Sequence, residues 1–467
     1  MNSFLSTRPA YLVDVPPPTI SGLLHMGHVF SYCHMDFMAR WNRAYLTTTE
    51  MHECLEDPVL YPFCFDCNGL PTEKLAQNAG RSDVIPFAED TSKMYADLFN
   101  SIGMGWSSHQ FHTFDKNAIA LAELSFEDLK QKGLAYKANR EYFWCPKHKV
   151  SVSQAEIDEE GRYERSGEKV ETRTGEGWFI NMMDHLPRIR SAIDAIDWHP
   201  VIFKDRLHSW LNGLKYDWSI SRERNYGIHI PGEADNIVFD TWFTSSLSPQ
   251  MAWASHTGKP TLKCPIFDAR FQAHDIIRTW ALFTIVKSLY HNDQPPWKKI
   301  IISGHALDPK GKKISKTAGN FVPPSHYIEK YGMEGVRYWA ALNQIGTDTR
   351  CDEQMMSKGK KLINKIRNAR KFVSMGLAKG GFKEEYRMEY IKMAGRLQTY
   401  MQLDYNWPLA IQTLTDFFWH TFCDKWIEEC KTTPIYQTLD EVLNMMIGDF
   451  QVFFPNLTDI ILEKQPT

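Results

Sequence analysis

The chain has 467 residues, enough for two to four domains that each bury a core. Its 53 basic residues against 56 acidic ones exclude the overall positive balance of a protein that coats nucleic acid, so any nucleic-acid contact must be local. No window approaches eighteen uninterrupted apolar residues, the amino terminus carries no apolar signal core, and nine cysteines show no repeating spacing; a soluble, cytoplasmic protein without membrane contact is expected.

In chain order, Tyr11 to Val15 reads as a strand, PPPTISG as a turn, and LLHMGHVFSYCHMDFMARW as a helix by its apolar spacing. His25 and His28 are placed in the first turn of that helix, on one face. Free backbone N–H groups and the positive dipole end make such a turn an anion site that would fit an oligophosphate. The pair taken alone also fits a satisfied polar pair near the surface, or a metal site, although two histidines without a further ligand argue weakly for metal.

Farther on, GKKISKTAGNF (Gly311 to Phe321) places Lys312, Lys313 and Lys316 within five residues, ahead of Pro323 and Pro324. It reads as a mobile basic loop or an ordinary solvated turn. Neither G-x-x-x-x-G-K-[ST] nor G-x-G-x-x-G occurs, so a nucleotide would need another grip on its phosphates. Two imidazoles at a helix start and a lysine loop would supply one. After Cys351 the pattern is helical: Leu362, Ile366, Ala369 and Val373 form an apolar stripe, and Asn406-Trp-Pro opens another run through Phe417, Trp419 and Trp426. Lys358, Lys360, Lys361, Lys365, Arg367, Arg370 and Lys371 put seven basic residues in fourteen positions without an acid, as a nucleic-acid contact or a solvated face would.

HMGH (His25 to His28) resembles the HIGH signature of class I aminoacyl-tRNA synthetases, and KISKT (Lys313 to Thr317) resembles its partner KMSKS. Further blocks resemble the valyl branch: PPPTISGLLHMGH, FDCNGLPTEKL (Phe65 to Leu75), YFWCPKHKVSVSQAE (Tyr142 to Glu156), DWSISRERNYGIHIP (Asp217 to Pro231), FDTWFTSSLSP (Phe239 to Pro249), HDIIRTWALF (His274 to Phe283) and KKLINKIRNARKFV (Lys360 to Val373). The resemblance implies an α/β fold, with a Rossmann-like parallel-sheet catalytic domain in two halves, residues 1–140 and 235–350. A small connective insertion, 141–234, would split it, and an α-helical anticodon-binding-like bundle, 351–467, would follow.

The implied activity is ATP-dependent activation of valine or a close analogue to the aminoacyl-adenylate and its transfer to tRNA, by a monomer, with Mg2+ travelling on ATP. By resemblance His25, His28, Lys313 and Lys316 carry catalysis, Gly27, His274, Asp275 and Ser315 bind ATP, and Pro17, Pro18, Thr19, Asp66, Trp242 and Ile276 bind the amino acid. Asp66 would hold the substrate ammonium, since a buried ammonium needs a paired charge; a helix N-cap is its other reading. Lys358, Lys361, Lys365 and Arg370 would contact tRNA.

The sequence also departs from the family. Valyl enzymes carry Asn after PPP where this chain has Thr19. SQAEIDEE (Ser153 to Glu160) runs within a few residues into a segment that follows the editing domain in relatives, so too little chain remains to fold one. Cys145-Pro-Lys-His148 resembles half a zinc knuckle, but Tyr163 to Ser166 stands where a second ligand pair belongs, and no metal is expected. Cys64 and Cys67 are read as packing residues. These departures leave an alternative open, a paralogue that supplies an activated amino acid to a non-translational biosynthetic acceptor.

Overall fold

The computed structural model describes residues 9–47, 57–107, 110–164, 166–314 and 319–462. The chain forms two compact units, one of Met1–Gly22, His52–Met94 and Trp106–Ile302, the other of Leu23–Met51, Tyr95–Gly105 and Ser303–Thr467.

A five-stranded sheet anchors the first unit. Its strands are β1 (Tyr11–Asp14), β2 (Val59–Leu60), β3 (Asp197–His199), β4 (Phe267–Ala273) and β5 (Trp297–Ser303), in the spatial order β3-β5-β4-β1-β2. β1 pairs in parallel with β2 (Tyr11 opposite Val59) and with β4 (Val13 opposite Ala269), and β3 pairs in parallel with β5 (Trp198 opposite Ile300). Strands buried on both faces read as near-continuous apolar runs, and Val13, Ala269 and Ile300 are fully buried. The connection leaves β1 toward β2 on one side while β4 lies on the other, which makes the carboxyl end of β1 the place where the strand order turns. Asp14 fixes this centre: it accepts from Arg270 at 2.7 Å and from the Trp297 indole at 2.7 Å, tying β1 to β4 and β5. Burial raises its pKa despite the Arg270 charge.

β3 corrects one expectation. It arises inside 141–234, the range assigned wholly to an insertion, yet it is an edge strand of the parallel sheet. The reason is local packing: Trp198 is buried and donates its indole N–H to Ile193 O at 3.0 Å, at the end of the helix Leu186–Asp194 whose Ile189, Ala192 and Ile193 face the core. An antiparallel sheet leads into that range, with Ala135–Cys145 paired to Glu171–Ile180 from Ala135 opposite Ile180 to Trp144 opposite Glu171.

The second unit is mainly helical. The apolar stripe Leu362, Ile366, Ala369 and Val373 is buried along the helix Glu353–Gly376. Asn406 caps the helix Trp407–Asp416, accepting from the Leu409 N–H at 3.1 Å, with Pro408 in the first turn. Arg337 is fully buried; it pairs with Asp36 at 2.6 Å and donates to Ile102 O at 3.1 Å and Val452 O at 3.3 Å. Burial opposes ionisation of Asp36, but Arg40 and Arg337 together hold its carboxyl below the usual range. Among the described residues no helix is long and apolar enough to cross a membrane.

Candidate active site

In the first unit, the segment leaving the carboxyl end of β1 is buried Pro16, Pro17 and Pro18. Three fixed φ angles and three missing donors hold it extended and leave few ways to pair. It pairs with Asp66, the residue after the strand Phe63–Phe65: the Asp66 N–H donates to Pro18 O at 3.1 Å, and the Ile20 N–H donates to Asp66 O at 2.9 Å, with Thr19 directly opposite. Pro17, Pro18, Thr19 and Asp66 are thus brought together. Asp66 is 0% exposed and accepts from the hydroxyls of Thr113 at 3.3 Å and Thr241 at 3.1 Å. It caps no helix, because Gly69 stands before the helix Leu70–Asn78.

Trp242 lies in the short helix Thr241–Ser245, capped by Asp240. It is 5% exposed, sits edge-on to Trp280 at 5.1 Å, and donates its indole N–H to Glu156 at 3.2 Å. Glu156 comes from the SQAE turn, where its carboxylate accepts from the Ser153 N–H at 3.1 Å. Asp240 and Arg222 form a buried pair at 3.1 Å; burial raises the Asp240 pKa, Arg222 opposes this and Glu156 adds to it. A cavity of about 30 Å³, room for little more than a water, is lined by Gly69, Glu156, Arg222, Asp240 and Thr241. Sequence reasoning found Trp242 but missed Thr113, Glu156, Arg222, Asp240 and Thr241; the acid and hydroxyl inside FDTWF were the available signal.

At the carboxyl end of β4, the adjacent parallel strand, His274, Asp275 and Ile276 form one 3-10 turn. The His274 ring stacks on Phe203 at 5.7 Å, Asp275 is exposed, and Ile276 packs against the core.

The second unit holds the histidine motif. The helix begins at Met26, so His25 stands at the N-cap position rather than in the first turn, a correction of one residue, while His28 lies inside that turn. The displacement has a physical cause: the two rings cap the helix reciprocally. The Gly27 N–H donates to His25 Nδ1 at 3.1 Å, the His25 N–H donates to His28 Nδ1 at 3.2 Å, and the His28 N–H donates to His25 O at 2.9 Å. With both Nδ1 atoms accepting, each neutral ring carries its proton on Nε2. Burial and the neighbouring His25 ring, 4.0 Å away, depress the His28 pKa well below 6.5, which keeps it neutral. Gly27 is required by close approach, since a Cβ there would stand 2.8 Å from His25 Cε1.

Of the lysine loop, Ser315 and Lys316 lie outside the described residues. Lys313 is exposed and pairs antiparallel with Leu307, and its carbonyl accepts from Asn320 Nδ2 at 3.1 Å. Asp308 joins the two flanks, accepting from the Lys312 N–H at 2.8 Å and Asn320 Nδ2 at 2.9 Å. On the basic helix, Lys358 and Lys361 are exposed, whereas Lys365 lies over the Trp419 ring at 5.0 Å and Arg370 pairs with Asp440 at 2.6 Å. The four expected tRNA contacts therefore divide into two exposed cations and two with intramolecular partners.

Cys145 packs in a small apolar cluster with Tyr163, and the His148 ring meets the Tyr163 ring edge-on at 6.0 Å. Among the described residues no three His, Cys, Asp or Glu side chains converge on a metal position. Burial pushes the Cys64 and Cys67 thiols well above their ordinary pKa.

The family of class I tRNA synthetases (I, L, M and V) matches residues 3–233 and 232–352. The chain is similar to the valine–tRNA ligase of Wolbachia pipientis wMel, 25% identical over 740 aligned residues that cover 97% of this chain and 84% of that protein. It is equally similar to that of Rickettsia rickettsii strain Sheila Smith, 25% identical over 695 residues, covering 98% and 84%. Among solved structures, the LeuRS of Agrobacterium radiobacter K84 in a ternary complex with tRNA and LeuAMS shares the fold at a TM-score of 0.79 and 14% identity, covering 98% of this chain and 86% of that one. The methionyl-tRNA synthetase of Mycobacterium tuberculosis bound by methionyl-adenylate does so at 0.77 and 18%, covering 97% and 94%.

Proposed function

The chain belongs to the class I tRNA synthetases and is an aminoacyl-tRNA ligase, and on that premise we propose that it activates valine or a close analogue with ATP and transfers it to tRNA without editing. The amino-acid carboxylate would attack the α-phosphate of ATP, forming the mixed anhydride and expelling pyrophosphate. Charge then builds on the phosphoryl oxygens, and catalysis is mainly positioning and electrostatic stabilisation. The reciprocal histidine cap is the observation that carries this reading. It presents two neutral imidazoles whose remaining protons are on Nε2, at the positive end of a long helix, as donors to phosphate should be. Lys313 and Lys316 would bind the departing pyrophosphate. Mg2+ would arrive on the phosphates of ATP.

Asp66 would bind the substrate ammonium, with Pro17, Pro18, Thr19, Trp242 and Ile276 shaping the amino-acid pocket and Gly27, His274, Asp275 and Ser315 contacting ATP. Catalysis falls to 1–140 and 235–350, with the shortened insertion at 141–234, β3 excepted, and tRNA recognition at 351–467 through Lys358 and Lys361. A cytoplasmic monomer suits this work. Two observations support the absence of editing. The Wolbachia alignment spans 740 positions against 467 residues here, so within the aligned region that relative carries stretches with no counterpart in this chain. The ribbon strands Ala135–Cys145 and Glu171–Ile180 are joined by residues 146–170 alone. Thr19, in place of the family's Asn, favours the second reading, an activated amino acid for a biosynthetic acceptor.

ATP–pyrophosphate exchange across the twenty amino acids, with and without tRNA, tests the first reading; exchange driven by valine is expected, and exchange driven only by a chemically unrelated amino acid would contradict it. An apolar pocket shaped for valine rejects the isosteric threonine by only about a hundredfold, and in valyl enzymes a second hydrolytic site must supply the rest. Threonyl-tRNA supplied to this protein should keep its spontaneous hydrolysis rate, and enzyme-dependent hydrolysis would refute the absence of editing.

A further inference from the structure

Hydroxyl donors from two distant parts of the chain converge on the buried Asp66 carboxylate. Thr113 Oγ accepts from the Cys67 N–H at 3.0 Å and from Asn68 Nδ2 at 2.9 Å. Both its lone pairs are then used, so its single proton goes to Asp66 Oδ1, 3.3 Å away. Thr241 Oγ lies 3.1 Å from each Asp66 carboxylate oxygen and 3.1 Å from Asn68 O, and its one proton can serve any of them. Thr241 gets this close because residue 69 is glycine. Gly69 has a φ of +83°, and a Cβ there would be 3.0 Å from the Thr241 Cβ. The side chain is held from the other direction by its place at the start of the helix Thr241–Ser245, behind the Asp240 cap.

Neutral hydroxyls fix the direction of a carboxylate without cancelling its charge, whereas a guanidinium at the same place would compete with a cationic substrate. We propose that Thr241, together with Thr113, is a positioning residue that orients the Asp66 carboxylate to receive the substrate ammonium. This rests on Asp66 being the ammonium partner.

The test is steady-state ATP–pyrophosphate exchange with valine for Thr241→Val, Thr241→Ser, Thr113→Val, Asp66→Asn and the Thr241→Val/Asp66→Asn double variant. A hydrogen bond to a charged group corresponds to about a tenfold to hundredfold effect. Thr241→Val should raise the amino-acid KM by that factor while kcat and the ATP KM stay within about twofold. Thr241→Ser, which keeps the hydroxyl, should restore the wild-type KM. In the Asp66→Asn background, Thr241→Val should add nothing, because the group it orients has lost its charge. A raised KM in Asp66→Asn with an unchanged KM in Thr241→Val overturns the positioning role alone, and so does a full Thr241→Val effect that persists in the double variant. An unchanged KM in Asp66→Asn overturns the ammonium assignment and this inference with it. Should Thr241→Val fail to fold, Thr113→Val carries the same expectation and the same contradiction.

Discussion

The first unit contains a histidine cluster with the spacing of a catalytic triad, and the second contains one that resembles nothing of the kind. In the first, His291 Nδ1 is 2.7 Å from Asp128 Oδ2 and its Nε2 is 2.9 Å from Ser125 Oγ, with Lys287 Nζ hydrogen-bonded to Ser125 on the far side. Ser125 is 0% exposed, and so is the His291 side chain. The hydrogen bonds run inward in one chain: Lys287 gives to Ser125, Ser125 to His291 and His291 to Asp128. Burial lowers the His291 pKa to about 4, and the Lys287 pKa falls well below that of an ordinary lysine as its ammonium is desolvated over the Phe243 ring. In the second unit, His25 and His28 are half-buried, and each ring's Nδ1 accepts from a backbone N–H. Triad distances therefore mark a satisfied core network here, while in a helix cap of modest appearance the half-buried His28 ring holds its proton on Nε2, where a ligand can accept it. What separates the two is whether a donor is left over at an accessible place.

Four variants probe that contrast. The largest effect is expected at the cap. His28→Ala should lower kcat of amino-acid-dependent ATP–pyrophosphate exchange by about two to four orders of magnitude, the scale of a lost transition-state donor. Ser125→Ala should leave kcat at the wild-type level; equal losses in both would erase the distinction. Next, Lys287→Met should stabilise the protein by about 1 to 4 kcal/mol, the range seen when buried charge networks are replaced by apolar side chains. Its pH dependence gives the sign. Because the folded state holds Lys287 at a depressed pKa, the unfolded chain binds more protons between that value and about 10.4, so wild-type stability rises with pH across this window. Denaturant titrations from neutral to pH 10 should show the Lys287→Met advantage shrinking as pH increases, and an advantage constant with pH would contradict a depressed Lys287 pKa. The smallest effect is expected on the basic helix. Charge reversal at the exposed Lys358 and Lys361 should lower the salt slope of tRNA binding by about one per lost phosphate contact and leave tRNA-independent exchange intact. An unchanged slope would show a merely solvated face.

Features set by neighbours in sequence are legible without the structure. β1 followed by three prolines, the buried stripe from Leu362 to Val373 and the Asn406 cap each depend on residues within a turn or two. His25 stands one residue outside the helix that the apolar period predicts, because a side chain, not that period, sets where the helix starts. β3 is not legible: three residues, Asp-Trp-His, carry too little pattern, and only the packing of Trp198 reveals them. The carboxylate at Asp66 is found by its motif, but its hydroxyl donors come from residues 47 and 175 positions away. Arg370 reads like its basic neighbours in sequence, and only the fold brings Asp440 beside it.

Histidine-selective 15N NMR decides whether His25 and His28 are neutral rings with their protons on Nε2. With the two rings assigned from His25→Asn and His28→Asn samples, long-range 1H–15N correlation at pH 7 should show both Nδ1 atoms unprotonated and both Nε2 atoms protonated, and His28 should stay neutral as the pH falls through 6.5. Protonated Nδ1 in either ring, or an imidazolium at His28 near neutral pH, would contradict the reciprocal cap and the phosphate-donor role built on it.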